Sequence, residues 1–295
     1  MRRQRAVRML LATALTLAGA AFAAAQPARP SPQGPPPGGR PAGPESRERM
    51  LELAHQVVAA AAIDTLPKQL KAFYKAHRQE MPSLALEPEF APHGKDRRFM
   101  VDRLLPFPFS ELPRSEAELK VKYGERAEGL GRLPWLVQES YARLVEAMKA
   151  GDKDKILNES DVITGLIVDL NSPLNLTENY DGQKTGQHGM WVRLVEKLPQ
   201  AMGNNLKASP DAARYLDNPK EYVFSIMLGT YVWLDNMLYL EELARRGKAG
   251  YGDPYFEDLA GRVGPILKVR LSRAAEDAGS FWYTAWSVAG RPELK

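Results

Sequence analysis

Gly165–Val195 reads GLIVDLNSPLNLTENYDGQKTGQHGMWVRLV, and this stretch decides the fold class. Ile163, Ile167 and Leu170 recur at four- and three-residue steps, the spacing that lines apolar groups along one helix face. Pro173 stops that helix, since its ring clashes with the preceding turn and it has no amide hydrogen to donate. Asn171 to Gln187 is rich in Asn, Gly, Thr and Gln, the composition of a loop. A short helix follows over His188 to Leu198, with Met190, Trp191, Leu194 and Val195 as its apolar positions. The stretch is therefore a helix, a polar loop and a second helix. Its chemistry-bearing residues, Asp169, Asn175, His188 and Trp191, stand at or beside the loop.

The same period extends outward. Met50, Ala54, Val57, Val58 and Ala61 place a helix ahead of Thr65 and Pro67, with His55 among them. Leu70, Phe73, Tyr74 and His77 continue it to Pro82. Residues 82–134 are irregular, because seven prolines interrupt them. Within them, Leu104 to Phe109 reads as a loop clamped over the core by its Phe and Leu side chains. Ser115 to Tyr123 reads as a short helix capped by Ser115. Trp135, Tyr141, Leu144, Val145 and Met148 mark a helix ending near Gly151, and Asp152 opens the next. Glu221 to Arg246 reads as one long apolar helix. Tyr255 to Ala289 reads as a helical stretch interrupted at Gly264-Pro265 and stopped by Gly290 and Pro292. No alternating apolar/polar run competes, so the fold class is all-α.

The chain's start has a different character. Arg2, Arg3, Arg5 and Arg8 precede an apolar stretch, Met9 to Ala25, that closes on a small-x-small pattern, the form of a secretory signal peptide spanning residues 1–25. Gln26 to Glu45 holds eight Pro and four Gly and reads as an extended linker. Residues 46–295 then form one domain, with no transmembrane helix expected after signal cleavage. Export to the periplasm or outside the cell follows as an expectation. The formal net charge of +4 equals the four arginines of residues 1–25, so the remaining chain is neutral. A nucleic-acid binder shows a basic excess or stripe, and this chain has no such footprint. It has no cysteine and four histidines, His55, His77, His93 and His188. There is no Gly-rich phosphate loop and no Gly-x-Ser-x-Gly, so neither a nucleotide cofactor nor covalent catalysis is indicated.

The layout resembles the zinc-dependent phospholipase C / P1 nuclease superfamily over about Leu51 to Pro292. The residues carrying the likeness are Ala54-His55, Leu66-Pro67, Glu87-Pro88-Glu89, Phe107 to Arg114, Leu133-Pro134-Trp135, Asp169, Pro173-Leu174 and the loop Asn179 to Gln187. The resemblance implies an all-α fold and a cleft in which His and carboxylate ligands hold a zinc cluster for phosphoester hydrolysis. It also implies a ligand at each of several positions where this chain departs. His55 and Asp169 match, and Glu89 stands for an Asp. Arg98 replaces a His, Gly165 another, and Asn175 the His of a Pro-Leu-His. On the last helix of the stretch, Trp191 or His188 falls at the His position, with Val195 or Val192 where a Glu belongs. The family pattern demands five His, more than the chain contains.

Three readings follow. The first is an exported protein with a degenerate metal site that binds a ligand or partner without turnover. It would use Arg98, Asn175, His188 and Trp191, with a small anionic ligand or a phospholipid as the partner. No metal is then expected at full occupancy, although zinc at a reduced site of His55, Glu89 and Asp169 stays open. The second is a metal-dependent phosphodiesterase with a reduced or rearranged zinc site. The third is an exported structural protein without a ligand. At single residues, the plainer expectations are a His55–Asp169 polar pair, an Arg98–Asp169 ion pair and a surface His77–Glu80 pair.

Overall fold

A computed structural model describes residues 44–81 and 96–294, with side chains from Leu53 onward. The stretches read as signal peptide and, up to residue 43, as linker lie outside the described residues, as do Glu89 and His93. Among the described residues there are nine α-helices and no strand. They are α1 (Pro44–Thr65), α2 (Lys68–Ala76), α3 (Glu116–Tyr123), α4 (Leu133–Ala150), α5 (Lys153–Leu170), α6 (Leu198–Met202), α7 (Pro219–Tyr231), α8 (Leu234–Arg245) and α9 (Asp253–Val288). The fold is all-α, and α1 begins two residues inside the segment read as linker.

Helix ends follow local chemistry. Ser115 accepts from the Glu118 amide at the start of α3, and Asp152 accepts from the Lys155 amide at the start of α5. Gly151 closes α4 at φ 68°, in the left-handed region where a side chain would be strained. The long helix α9 forms the spine, packing against α1, α4, α5, α6 and α8. Trp282 of α9 stacks on Tyr74 at 4.5 Å and donates to the Ser160 carbonyl, while the Tyr74 hydroxyl meets Ser160 Oγ at 2.7 Å. Three helices are pinned there in one apolar centre.

Two helix boundaries differ from the sequence reading. Glu221 to Arg246 is not one helix but α7 and α8, broken at Val232-Trp233. The cause is Arg270 of α9. It donates to the Gly229 carbonyl, which in an unbroken helix would accept from the Trp233 amide, and that amide turns to Thr230 instead. By length and composition Pro219–Arg245 could cross a membrane. Its Val223, Phe224, Ile226, Met227, Leu234 and Met237 are buried in this fold. Conversely, α9 runs straight through Gly264-Pro265. Pro265 is on the exposed face, where the unpaired Gly261 carbonyl can reach water, and Gly264 lets α9 approach Met202. In the Pro-rich loop, Leu104 and Phe109 are buried as expected, but Phe107 is 48% exposed.

Candidate functional site

Asp161, Gly165 and Asp169 lie four residues apart on α5, so they share one face. His55 of α1 points at that face. Across from it runs the segment Asp96 to Met100, held by backbone bonds. The Phe99 amide donates to the Asn175 carbonyl at 2.8 Å, and the Arg132 and Leu133 amides donate to the carbonyls of Asp96 and Arg98. Phe99 is fully buried and anchors the segment. Arg97 and Arg98 are thereby presented in different directions.

The Arg97 guanidinium is the centre of the arrangement. Its Nε donates to Asp169 Oδ2 at 2.5 Å. A Cβ placed on Gly165 would meet Arg97 Nη2 at 3.2 Å and the His55 ring at 3.6 Å. The space that a side chain at 165 would fill is thus taken by a permanent cation beside an imidazole. Asp169 is 18% exposed at its side chain. Burial pushes its carboxyl above the ordinary range, while Arg97 and then Arg98 pull it back.

His55 is 3% exposed. Its Nε2 lies 3.4 Å from Asp161 Oδ1, yet neither ring nitrogen makes a hydrogen bond. Burial first, and the Arg97 charge second, lower its pKa to about 4, against a smaller upward pull from the Asp161 backbone. The imidazole is therefore neutral at pH 7, with one donor and one acceptor both unused.

Arg98 turns the other way. Its guanidinium carbon sits 3.9 Å over the Tyr180 ring and 5.6 Å from the Trp191 ring centre. Trp191 Nε1 donates to Asn175 Oδ1 at 3.3 Å, and Asn175 Nδ2 donates to the Asp169 carbonyl at 3.0 Å. Asp181 caps the helix that carries Trp191, accepting from the Gly189 and Trp191 amides at 3.1 Å each. Arg98, Tyr180, Trp191, Asn175 and Asp169 form one connected surface whose orientation is fixed from behind.

Of the residues predicted from sequence, His55, Arg98, Asp169, Asn175 and Trp191 come together here, and Glu89 lies outside the described residues. Two pairings and one single residue need correction. Asp169 bonds Arg97 instead of Arg98, because the backbone of residues 96–100 turns the first arginine toward α5. His55 faces Asp161, one helical turn past Gly165, with Arg97 between it and Asp169. His188 is exposed, and only its carbonyl is used, accepting from Arg193 Nη1 at 2.7 Å. The His77–Glu80 surface pair is present at 2.8 Å, with Lys153 also on Glu80.

Sequence reasoning missed Arg97, Asp161, Tyr180 and Glu196. Asp161 was visible in principle as the third member of a 161/165/169 row. Glu196 is buried because Val192–Lys197 is a π-helical turn. Pro199 has no amide hydrogen for the Val195 carbonyl and crowds it, and the Leu198 amide bonds Arg193 five residues back. In that wider turn Glu196 stands five residues after Trp191, where α-helical counting points to Val195.

The donors among the described residues fit a zinc cluster poorly. Among the described residues no three His, Asp or Glu gather closely enough to hold a metal, and Arg97 places positive charge among those that are near. Compared with protein-family models and with curated proteins, the chain matches none.

Proposed function

We propose that this chain is an exported protein of phospholipase C / P1 nuclease-like fold whose cleft binds a small anionic group without turning it over. Arg98 reads the anion, with Tyr180 and Trp191 holding the guanidinium flat. The observation that carries this reading is the position of Arg97. Its guanidinium neutralises Asp169 and fills the space over Gly165, where the family resemblance implies a metal ligand. That leaves Arg98 as a second cation, stacked on an aromatic ring with the edge of its fork available. Arginine in that setting suits bidentate recognition of phosphate or carboxylate.

The test is calorimetric titration of the purified domain with inorganic phosphate and glycerol 3-phosphate. Binding should survive EDTA, weaken with added salt, and fall about tenfold or more in Arg98→Ala. Chelator-sensitive hydrolysis of a phosphodiester, abolished by Asp169→Ala, would overturn the reading.

One observation favours the second reading, a metal-dependent phosphodiesterase with a rearranged site. His55 is neutral with both ring nitrogens unbonded, the protonation state in which imidazole ligates zinc. His55 would be one ligand of that ion; Glu89, another in the sequence reading, lies outside the described residues. Stoichiometric zinc after purification without chelators would select this reading.

A further inference from the structure

Where α1, α5, α8 and α9 meet the π-helical turn, a slot of about 60 Å³ stays open. Ala54 of α1, Leu194 of the turn, Pro199 of α6, Met237 of α8, and Ile266 and Leu271 of α9 form its inner wall, and all are buried. Val168, Val195 and Leu267 also line it and are half-buried, so they form the mouth, with Ser172 as the half-buried polar residue beside them. Close-packed interiors hold few voids larger than a water molecule. This one has an identifiable cause. Pro199 denies the Val195 carbonyl a partner, the turn before it widens, and Leu194 and Val195 of that turn line the space. Among the described residues Arg270 is the one charged member of the lining, and its guanidinium is engaged with Asn171, the Gly229 carbonyl and the Thr230 hydroxyl. The Asn171 amide, also in the lining, is engaged with the Ile167 carbonyl and Asp277. The slot therefore presents carbon.

We propose that this slot binds the end of an unbranched alkyl chain whose polar head stays outside the mouth. Size and chemistry narrow the ligand. Its volume is about that of two waters, room for about two or three chain carbons. An aromatic ring is too large, since a cavity that takes benzene measures about 150 Å³. Water needs about two to four polar partners, and an apolar slot of this kind stays dry. An anion would find the Arg270 donors taken and carbon on the other walls. A methyl end with the methylenes behind it buries apolar surface on every side and leaves no polar group unpaired. The site does not rest on Arg98 or on the anion-binding reading.

The experiment follows the Met237 methyl by NMR in protein labelled with ¹³C-methyl methionine, its signal among the ten methionines assigned by Met237→Leu. Straight-chain alkanols from methanol to hexanol are titrated, with benzene as the bulky control. The expected result is a saturable shift whose affinity rises about threefold to fourfold per added carbon, up to the chain length that fills the slot, and less steeply beyond it. Ala54→Val places two methyl groups inside the slot and should abolish the shift. Leu267→Ala, at the half-buried mouth, enlarges the slot and should admit benzene, a gain that a variant with a merely disturbed core would not show. Hexanoate and a dihexanoyl phosphatidylcholine kept below its micelle concentration separate the sources of the chain. A free acid as occupant gives a shift with hexanoate alone, and a lipid tail gives one with the phospholipid as well. No saturable shift with any alkanol (a packing defect only), benzene bound by wild type as tightly as hexanol, a shift unaltered in Ala54→Val, or no shift with either charged-head chain overturns the proposal.

Discussion

Two buried polar clusters share the same scaffold and are finished differently. One joins Arg193 of the π-helical turn to Glu241 of α8. Glu241 is 0% exposed and accepts from Arg193 Nη2 at 2.8 Å, Gln187 Nε2 at 2.6 Å and the Tyr255 hydroxyl at 2.8 Å. Arg193 also donates to the carbonyls of His188 and Gln187, and stacks on Tyr251. Every strong group there is paired, and the result is a clamp that fixes the loop before Trp191 to α8. The other cluster is His55, Arg97, Asp161 and Asp169. Its ion pair is partly exposed, its imidazole is unbonded, and a cavity opens beside it. Full satisfaction marks a structural device, whereas the buried imidazole of the second cluster keeps two ring nitrogens without a hydrogen bond.

The contrast is broken or kept first by deleting one charge from each cluster. Glu241→Ala strands a buried guanidinium and should destabilise the fold by about 3–5 kcal/mol. Arg97→Ala should cost only about 1–2 kcal/mol, because water reaches Asp169 when its partner leaves. Urea unfolding of the two variants measures both. Equal losses would mean that the Arg97 cluster is as structural as the other, and would remove the physical ground for a ligand there.

Acid sharpens the comparison, since His55 and a second buried group titrate with opposite sign. The folded pKa of His55 is lowered to about 4, below the ordinary 6.5. The unfolded chain therefore takes up a proton that the folded one resists, and stability falls as pH drops from about 6.5 to about 4. Asp277 of α9 is pushed by burial to about 6, against bonds from Tyr222 and Asn171. Its contribution is most favourable at low pH and is lost as pH rises through 6. Relative to wild type, His55→Leu should gain stability on acidification from pH 6.5 to 4, by about 3 kcal/mol at most. Asp277→Asn should gain over the opposite course, as pH rises from 4 to 6. Unfolding midpoints for both variants at four or five pH values are the check, and parallel curves for wild type and His55→Leu would show that the imidazole is not held neutral.

Much of this fold was legible in the sequence because helix period and capping are local. Ser115, Asp152 and Gly151 act where the sequence puts them, and the two helices around the Asn-rich loop are both present. The errors were made by distant partners. Arg270 takes the Gly229 carbonyl and splits a helix that propensity alone would continue. Pro199 widens the turn behind it and moves Glu196 into the core. The site was legible only as a cast of positions. The resemblance points to His55, Asp169, Asn175 and Trp191, but which arginine meets Asp169 depends on how the Asp96–Met100 backbone is strapped to Asn175 and Leu133.

The smallest expected change in stability belongs to the residue on which the anion reading rests. Arg98 stacks on Tyr180 at a partly exposed position, and among the described residues it has no ion-pair partner. Arg98→Ala should therefore cost about 0.5–1 kcal/mol in stability, the worth of an exposed cation–π contact, while weakening phosphate binding about tenfold or more. Arg98→Lys separates charge from shape. Lysine keeps the positive charge but has neither the planar fork nor the flat stacking on Tyr180. If the two rings exist to present a bidentate donor, Arg98→Lys should recover little of the affinity lost in Arg98→Ala, with stability near wild type. If calorimetry instead finds phosphate bound to Arg98→Lys as tightly as to wild type, the aromatic setting contributes nothing to recognition. The cleft would then attract anions by net charge alone, and the contrast with the fully paired Arg193 cluster would reduce to solvent exposure.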